Sequence, residues 1–233
     1  KSRTTLWKKL DVTFPSHVNV SAKLRPKLCA NSVIPAVPKN CEALWIGDKV
    51  IQLGIDNFIE NHKRLLKSKR VGLLTHSAAL GASLESTLEI LNKDPDINLI
   101  LLFGPEHGIF GTAQDMETVA SAKDPLTGLP IVSLYGNSLE TLKPKKEDIE
   151  KIDVLICDLQ DIGVRYYTYI YTMAFCMQTC AELGKKVIVL DRPNPLNGLN
   201  MEGNVLDKAY SSFVGWYSLP VRHGMTIGEL AQY

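Results

Sequence analysis

The acidic residue with the most distinctive surroundings in this chain is Glu106, in the sequence GPEHG at 104–108. Pro105 fixes the backbone before it, and the glycines on either side permit tight turns and a close approach of a ligand. A carboxyl group held on such a loop beside an apolar strand could deliver a proton to a leaving group. The structural alternative is a glutamate that caps the next segment or pairs with a local amide.

A second acidic segment, DLQD at 158–161, also follows an apolar run, and Asp158 and Asp161 flank Gln160 there. The sequence GVRYY comes directly after it. Arg165 could hold a carboxylate through paired hydrogen bonds, and tyrosine faces such as that of Tyr166 can stack on sugar rings. This segment therefore has the residue types for binding a polar substrate.

Structural roles compete with these functions. Asp158 could pair with Arg165 simply to hold the loop, and we favour ordinary core positions for Tyr169 and Tyr171 in the helix that follows.

The other apolar runs are likewise followed by polar residues. The candidates for substrate contacts at these positions are Thr75, His76, Tyr135, Asp191, Arg192 and Asn194, and a later polar insertion ahead of the last helix adds Arg222 and His223. Asp191 and Arg192 could instead form an internal ion pair that shapes the end of a strand. His223 could contact an anionic group ahead of a helix, or it could be a hydrogen-bonded structural histidine.

Several function classes lack their sequence patterns. The chain contains no G-x-G-x-x-G after its first strand, no G-x-x-x-x-G-K-[ST] and no G-x-S-x-G, which disfavours dinucleotide, nucleotide and serine-esterase sites. With 26 basic and 25 acidic residues its formal charge is +1, so no net field favours nucleic acid. No apolar run approaches the roughly 20 residues that cross a bilayer, so we predict no membrane span.

Alternating strand-like and helix-like segments from about residue 50 onward predict an α/β fold with three layers and a largely parallel sheet. The predicted strands cover 70–74, 97–103, 130–134, 152–159 and 186–190, and the predicted helices cover 55–67, 83–92 and 168–183. Since ligands bind beyond the carboxyl ends of parallel strands, all the polar segments above should meet at one rim.

The two ends of the chain differ from this pattern. Residues 1–49 contain four prolines without periodicity and predict an irregular extension before a domain at 50–233. Cys29 and Cys41, in that extension, could form a disulfide or remain thiols. Thr226 and Glu229 have capping-box spacing, and the short helix that they begin leads us to expect that the natural protein continues beyond Tyr233.

Taken in order, eight short segments resemble the formerly uncharacterised bacterial family of NamZ-like exo-β-N-acetylmuramidases. They are VGLLT (71–75), FGPEHG (103–108), TGLP (127–130), SLYG (133–136), DLQDIG (158–163), RYYTY (165–169), LDRPNP (190–195) and PVRHGMT (220–226). The resemblance runs from about residue 50 to 233. One departure is His76, where family members usually carry Asn.

The resemblance implies a Rossmann-like domain, followed in the family by a smaller C-terminal domain that is missing from this chain, with the cleft between them. It implies hydrolysis of β-1,4-linked N-acetylmuramic acid from non-reducing ends of peptidoglycan fragments, without nucleotide, metal or other cofactor. It also implies an extracytoplasmic or secreted protein. Within the family the glutamate of GPEHG is the leading catalytic candidate, which is Glu106 here.

We therefore expect general acid/base catalysis, with candidate catalytic residues Glu106, His107, Asp158 and Asp161. Glu106 would protonate the glycosidic oxygen and one aspartate would aid attack. A distance of about 5 Å between the two carboxyl groups would indicate that one of them is a nucleophile, and a distance of roughly 6.5–9.5 Å would leave room for an attacking water. If an acetamido group of the substrate is the nucleophile instead, only one acid is needed. Arg165 or Arg222 is expected to contact the lactyl carboxylate of muramic acid.

Two other classes stay open. A metal-dependent hydrolase would use ligands from among His107, His223, Asp158 and Asp191, although the close H-x-x-x-H type of spacing is absent. A non-catalytic peptidoglycan- or sugar-binding module would retain the rim without turnover. The sequence gives no indication of the oligomeric state.

Overall fold

The computed structural model describes residues 12–13, 51–111, 122–135 and 142–233. Its centre is a sheet of seven strands in the order β1-β7-β6-β2-β3-β5-β4. The strands are β1 (Val12–Thr13), β2 (Arg70–Thr75), β3 (Asn98–Gly104), β4 (Ala122–Lys123), β5 (Pro130–Ser133), β6 (Val154–Asp158) and β7 (Lys186–Val189). All neighbouring pairs are parallel except β4 with β5.

The five predicted strands are confirmed, with ends that differ by at most two residues. Both strands that the sequence missed contain only two residues, too few for an alternation to be recognised. One of them, β1, lies within the segment predicted to be irregular, where Val12 and Thr13 pair with Val187 and Ile188 of β7.

The order of the strands reverses at β2. From β2 the chain moves outward to β3, forms β4 at the edge of the sheet and then β5 between β3 and β4. Afterwards it returns to the other side of β2 to form β6 and then β7. In open parallel sheets, such a switch opens a crevice at the carboxyl ends of the strands. The loops that follow β2, β3 and β6 border this crevice, and they carry His76, Glu106 and Asp161.

Helices cover both faces of the sheet, as predicted, although the helix predicted at 83–92 begins only at Thr87, because Ser86 and Glu89 form a capping box there. They are α1 (Gly54–Asn57), which continues into a π-helical turn (Phe58–His62) and a 3-10 turn (Lys63–Leu66), then α2 (Thr87–Lys93), α3 (Lys146–Glu150), α4 (Tyr169–Glu182) and α5 (Ile227–Gln232). Helix α3 was not predicted. A further 3-10 turn lies at Lys208–Tyr210.

Two apolar clusters form the core, one on each face of the sheet. Along β6, Val154 and Ile156 point into the cluster under α1 and α2, while Leu155 and Cys157 point into the cluster under α3, α4 and α5. All four side chains are buried. A strand that is apolar on both faces is typical of the centre of a three-layer fold, which explains the continuous apolar runs of the sequence.

Within the described residues, no helix is both long and apolar enough to cross a membrane. Cys157, Cys176 and Cys180 are buried thiols. Cys29 and Cys41 lie outside the described residues.

Gly72 on β2 allows a test of how tightly this core is packed. A Cβ atom at residue 72 would lie 2.8 Å from Cδ1 of Ile152 and 3.1 Å from Cε2 of Phe103. We expect Gly72→Ala to lower the free energy of unfolding by about 1–3 kcal/mol. Ile152→Val, which removes the nearest methyl group, should cost about 0.5–1.5 kcal/mol alone.

The double variant should then lose less stability than the sum of the two single losses, because the smaller side chain relieves the clash. Urea denaturation of the four proteins measures this coupling. Additive losses would show that the contact between residues 72 and 152 is not limiting.

Candidate functional site

The carboxyl ends of four parallel strands bring the predicted rim together. Thr75 ends β2, Asp158 ends β6 beside it, Glu106 follows β3, and Asp191 follows β7. All four therefore lie at one edge of the sheet, as the sequence predicted. Their hydrogen-bond partners differ. These partners show which of the groups stabilise the rim and which could act on a ligand.

Glu106 lies in a tight turn and is buried, with 9% of its surface exposed. The Thr168 hydroxyl donates a hydrogen bond to its Oε2 at 2.5 Å, and the Tyr169 hydroxyl lies 3.4 Å from its backbone oxygen. The amide of Gly108 closes the turn on the Pro105 oxygen at 2.9 Å. Among the described residues, none donates a hydrogen bond to Oε1 of Glu106, whereas its Oε2 is held by Thr168.

The backbone next to Glu106 is unusual. His107 has a φ of 67° and Gly108 a φ of 75°, so two consecutive residues adopt the left-handed region. Histidine enters this region more readily than most side chains, but still at some conformational cost. The turn reverses the chain directly after Glu106 and keeps its carboxyl group at the sheet edge. His107 is half-buried, and a catalytic role for it remains a prediction.

His76, directly after β2, is a neutral histidine with a defined tautomer. Its Nε2 accepts a hydrogen bond from the Gln160 amide at 2.9 Å, so the proton of the neutral ring must lie on Nδ1. Burial lowers the pKa of His76 to about 4; the nearby Asp158 raises it and Arg192 lowers it further. The ring packs edge-on against Tyr169, with centroids 4.9 Å apart.

Tyr167 and Tyr169 connect Glu106 with the loop after β6. Their ring centroids are 4.6 Å apart, and burial raises the pKa of both phenols. Burial is the main cause of the raised pKa of Tyr167, and the negative charges of Asp161 and Glu106 add to it, so this phenol interacts electrostatically with both carboxylates.

The predicted core positions of Tyr169 and Tyr171 are confirmed, since both side chains are buried. For Tyr169 this interpretation was incomplete, because the same side chain contacts Glu106 and His76. The sequence did contain a signal for this contact, because Tyr169 lies in the first turn of a helix that starts at the rim.

Asp161 is paired with His223 in the interior. Their Oδ2 and Nε2 atoms are 3.1 Å apart, but the ring is not aligned for a hydrogen bond. The Gly163 amide donates to Asp161 Oδ2 at 2.7 Å, and the Met225 amide donates to His223 Nδ1 at 3.2 Å. Oδ1 of Asp161 is buried and has no partner among the described residues. Asp161 therefore retains an acceptor that the fold does not use.

Asp158, in contrast, is fully committed to the fold. Arg192 holds it through two hydrogen bonds, Nε to Oδ1 at 2.5 Å and Nη2 to Oδ2 at 2.9 Å, and Thr87 Oγ1 donates to Oδ2 at 2.5 Å. Its surface is 0% exposed. The suggested pairing with Arg165 is therefore wrong, and so is an Asp191–Arg192 ion pair, because the Arg192 side chain reaches Asp158. These contacts argue against Asp158 as the carboxylate that aids attack.

Asp191 acts as an anchor for the start of α5. Its carboxylate accepts from the Gly228 amide at 2.7 Å, the Thr226 hydroxyl at 3.0 Å and the Arg192 amide at 3.0 Å. Burial raises its pKa, and these donors partly offset that effect. The predicted capping box of Thr226 and Glu229 is confirmed.

Other predicted contact residues also hold neighbouring loops. Asn194 donates to the Met225 oxygen at 2.8 Å, and its Oδ1 lies only 2.5 Å from where a Cβ of residue 163 would be, so only glycine fits there. The side-chain amide of Gln160 donates to backbone oxygens of Asp161 and Pro193. Substrate binding by Asn194 and Gln160 would have to coexist with these roles.

The two arginines expected to recognise a carboxylate have intramolecular partners. Arg165 Nη1 donates to the backbone oxygens of Asn204 at 2.7 Å and Leu219 at 2.6 Å. Arg222 pairs with Glu202 at 2.8 Å and also donates to the Leu196 oxygen. Their contact with a lactyl group remains a prediction.

The last two predicted contact residues differ in exposure. Tyr135 is buried and packs against Phe213, whereas Tyr166 is 56% exposed. Tyr166 therefore has a free face for stacking.

The four groups named for a metal site do not form one cluster. Three of them have other partners: Asp158 is held by Arg192, Asp191 accepts from the Gly228 amide at the start of α5, and His223 faces Asp161. Over the described part of the chain, no three His, Cys, Asp or Glu side chains are placed to share an ion.

His76 predicts a pH dependence of stability. Its folded pKa of about 4 lies below the value of about 6.5 expected in the unfolded chain, so the unfolded state binds more protons between these values. The neutral ring thus contributes stability above about pH 6.5 that is lost as pH falls toward 4. We expect wild type to lose roughly 2 kcal/mol more than His76→Asn between pH 7 and 4.5, in urea denaturation. Equal losses in the two proteins would contradict a neutral His76.

We expect the loss of one partner to destabilise the fold much more in the buried Asp158–Arg192 pair than in an exposed ion pair. Arg192→Met leaves a buried carboxylate unpaired and should cost about 3–5 kcal/mol of unfolding free energy. The exposed pair Arg70–Asp153 is the matched control, and Arg70→Met should cost about 1 kcal/mol or less. Adding Asp158→Leu to Arg192→Met should recover much of the loss, because no charge then remains buried. Denaturation midpoints that rank the two arginines equally would refute this.

Comparison with known proteins identifies relatives that match most of this chain, including the rim. The family described as "Exo-beta-N-acetylmuramidase NamZ, N-terminal" matches residues 71–233. The peptidoglycan beta-N-acetylmuramidase NamZ of Bacillus subtilis (strain 168) is 50% identical over 181 residues, which are 78% of this chain and 43% of that protein.

Two solved structures are similar as well, both crystal structures of DUF1343 family proteins from Bacteroides fragilis NCTC 9343. One is 46% identical with a TM-score of 0.71 and covers 78% of this chain and 44% of its own. The other is 36% identical with a TM-score of 0.65 and covers 78% and 45%. This chain thus spans less than half the length of the relatives that it matches. Because the family match includes every rim segment from β2 to α5, the resemblance seen in the sequence is confirmed, and the chain belongs to the family of the NamZ N-terminal domain.

Proposed function

We propose that this chain carries the acid/base residues of a glycosidase that releases N-acetylmuramic acid from non-reducing ends of peptidoglycan fragments. The observation that carries the proposal is Glu106, a buried carboxyl group with one oxygen held by Thr168 and the other without a partner among the described residues. Glu106 lies at the switch point of the sheet, and the description of the matching family names this activity. The relative from Bacillus subtilis is named as a peptidoglycan beta-N-acetylmuramidase.

In the proposed reaction, Glu106 donates its proton to the glycosidic oxygen as the bond from the anomeric carbon to that oxygen breaks. The sugar then carries oxocarbenium character, and a nucleophile must reach the opposite side of its ring. Asp161 is the better second carboxylate, because it keeps an unpartnered oxygen whereas Asp158 has none. Tyr167 interacts electrostatically with both acids.

Neutral donors suit the rest of such a site. His76 would offer Nδ1–H to a sugar oxygen or an acetamido carbonyl, and its pKa of about 4 keeps it uncharged at neutral pH. Tyr166 offers an exposed ring for stacking on a sugar face. We place the reaction outside the cytoplasm, where the peptidoglycan polymer lies.

The test uses Glu106→Gln in the full gene product that contains this chain. Glutamine keeps the shape of the side chain but removes the proton, and positioned acids contribute about 10²- to 10⁴-fold to turnover. We expect release of N-acetylmuramic acid from a peptidoglycan disaccharide to fall by that order. A nitrophenyl glycoside of the same sugar, whose leaving group needs little protonation, should be affected less.

The matched control is Glu147→Gln on α3, an exposed glutamate that should leave turnover unchanged. Wild-type turnover by Glu106→Gln with an unchanged melting temperature would contradict the proposed role. Binding of a muramyl oligosaccharide by the wild-type protein without any released sugar would favour a non-catalytic binding module instead.

A further inference from the structure

Three of the described helices begin after a serine or threonine, and one of these residues does not cap its helix. Ser86 before α2 and Thr226 before α5 each accept a hydrogen bond from the amide three residues later, in complete capping boxes. Both have extended backbones, which is the usual conformation at this position. Thr168 before α4 has φ −76° and ψ −17°, a helical conformation, and its side chain makes no cap hydrogen bond.

The hydroxyl of Thr168 is used for Glu106 instead. It donates to Oε2 of Glu106 at 2.5 Å, and both side chains are buried. A helix of 14 residues thus begins without the side-chain cap that typically stabilises a helix by about 1 kcal/mol. At the N-cap position, Ser86 and Thr226 stabilise their helices by a hydrogen bond to a backbone amide. Thr168 makes a hydrogen bond to Glu106, the candidate acid, instead.

This contact distinguishes the two oxygens of Glu106. In a protonated carboxyl group the carbonyl oxygen is the stronger acceptor, so donation by Thr168 to Oε2 favours the acidic proton on the other oxygen. The proton of a protonated Glu106 therefore belongs on Oε1, which has no donor among the described residues. The Tyr169 hydroxyl approaches the backbone oxygen of the same residue at 3.4 Å, so two consecutive residues of the α4 start hold Glu106 at both ends.

We propose that Thr168 is the positioning residue of the acid: its hydroxyl fixes the Glu106 carboxyl group so that Oε1 presents the proton to the glycosidic oxygen. This inference rests on the proposed function and adds a residue to it. A small misplacement of a catalytic group costs up to about 10²-fold in rate, which sets the scale of the effect.

The experiment compares Thr168→Val with Thr168→Ser in the full gene product. Valine keeps the shape and removes the donor, so kcat for the peptidoglycan disaccharide should fall about 10- to 100-fold with little change in KM. Serine keeps the hydroxyl and should restore most of the rate. Thr179→Val is the matched control, because Thr179 is also buried on α4 but donates to the Phe175 oxygen at 3.1 Å, away from Glu106.

Two further readouts separate positioning from a general structural effect. The loss in Thr168→Val should be smaller for the nitrophenyl glycoside, since less protonation is needed there. In a Glu106→Gln background, Thr168→Val should cause no additional loss, because the group that it positions has already been removed. Thr168→Ala provides a second donor-free variant, should the valine variant fold poorly.

The outcomes are distinguishable. A kcat for Thr168→Val equal to that of Thr179→Val, or equal losses on both substrates, overturns the positioning role while leaving Glu106 as the acid. A full additional loss in the Glu106→Gln background overturns it as well. Wild-type turnover by Glu106→Gln alone overturns the proposed function itself, and with it the role of Thr168.

Discussion

The rim depends on one buried ion pair, between Asp158 at the end of β6 and Arg192 after β7. Two buried charges carry a large desolvation cost, which is offset only when all of their hydrogen-bonding groups find partners at good geometry. Here Arg192 makes two bonds to the carboxylate, and Thr87 at the start of α2 makes a third. The pair therefore joins two strand ends to a helix on one face of the sheet. It also contributes to the electrostatic environment of His76, the neighbouring group at the crevice.

Around this pair, most polar groups of the rim stabilise a neighbouring loop. Asp191 holds the start of α5, Asn194 fixes the segment before it, and Arg165 ties the loop after β6 to two distant backbone oxygens. These contacts give the site a rigid support, as precise placement of reacting groups requires. Within the described rim, the exceptions are Glu106 and Asp161, each of which has one carboxyl oxygen without a donor among the described residues.

Much of this arrangement could be predicted from the sequence, because it follows from local patterns. Continuous apolar runs identified the five long strands, and the polar residue after each run identified the rim. The partner of Asp158 could not be predicted in the same way. Arg165 is nearer in sequence, but the parallel pairing of β6 with β7 brings Arg192 to Asp158, and that pairing is a long-range property.

The role of Tyr169 was missed for a similar reason. A buried tyrosine at a helical position fits the core of any helix, and only the packing of α4 against the loop after β3 brings it to Glu106. The strands β1 and β4 were missed because two residues show no period. Sequence patterns therefore locate the elements and the rim, whereas side-chain partners depend on the tertiary fold.

The two kinds of carboxylate at this rim differ in what protonation would cost. Protonating Asp158 would break a bidentate ion pair in the interior and leave the Arg192 charge without its partner. Protonating Glu106 on Oε1 breaks no ion pair among the described residues and leaves the Thr168 hydrogen bond to Oε2 in place. Within the described part of the chain, the side chains that donate hydrogen bonds to Glu106 are the uncharged hydroxyls of Thr168 and Tyr169. An acid must exchange its proton in every turnover without disturbing its own support, and of these two carboxylates only Glu106 is built to do so.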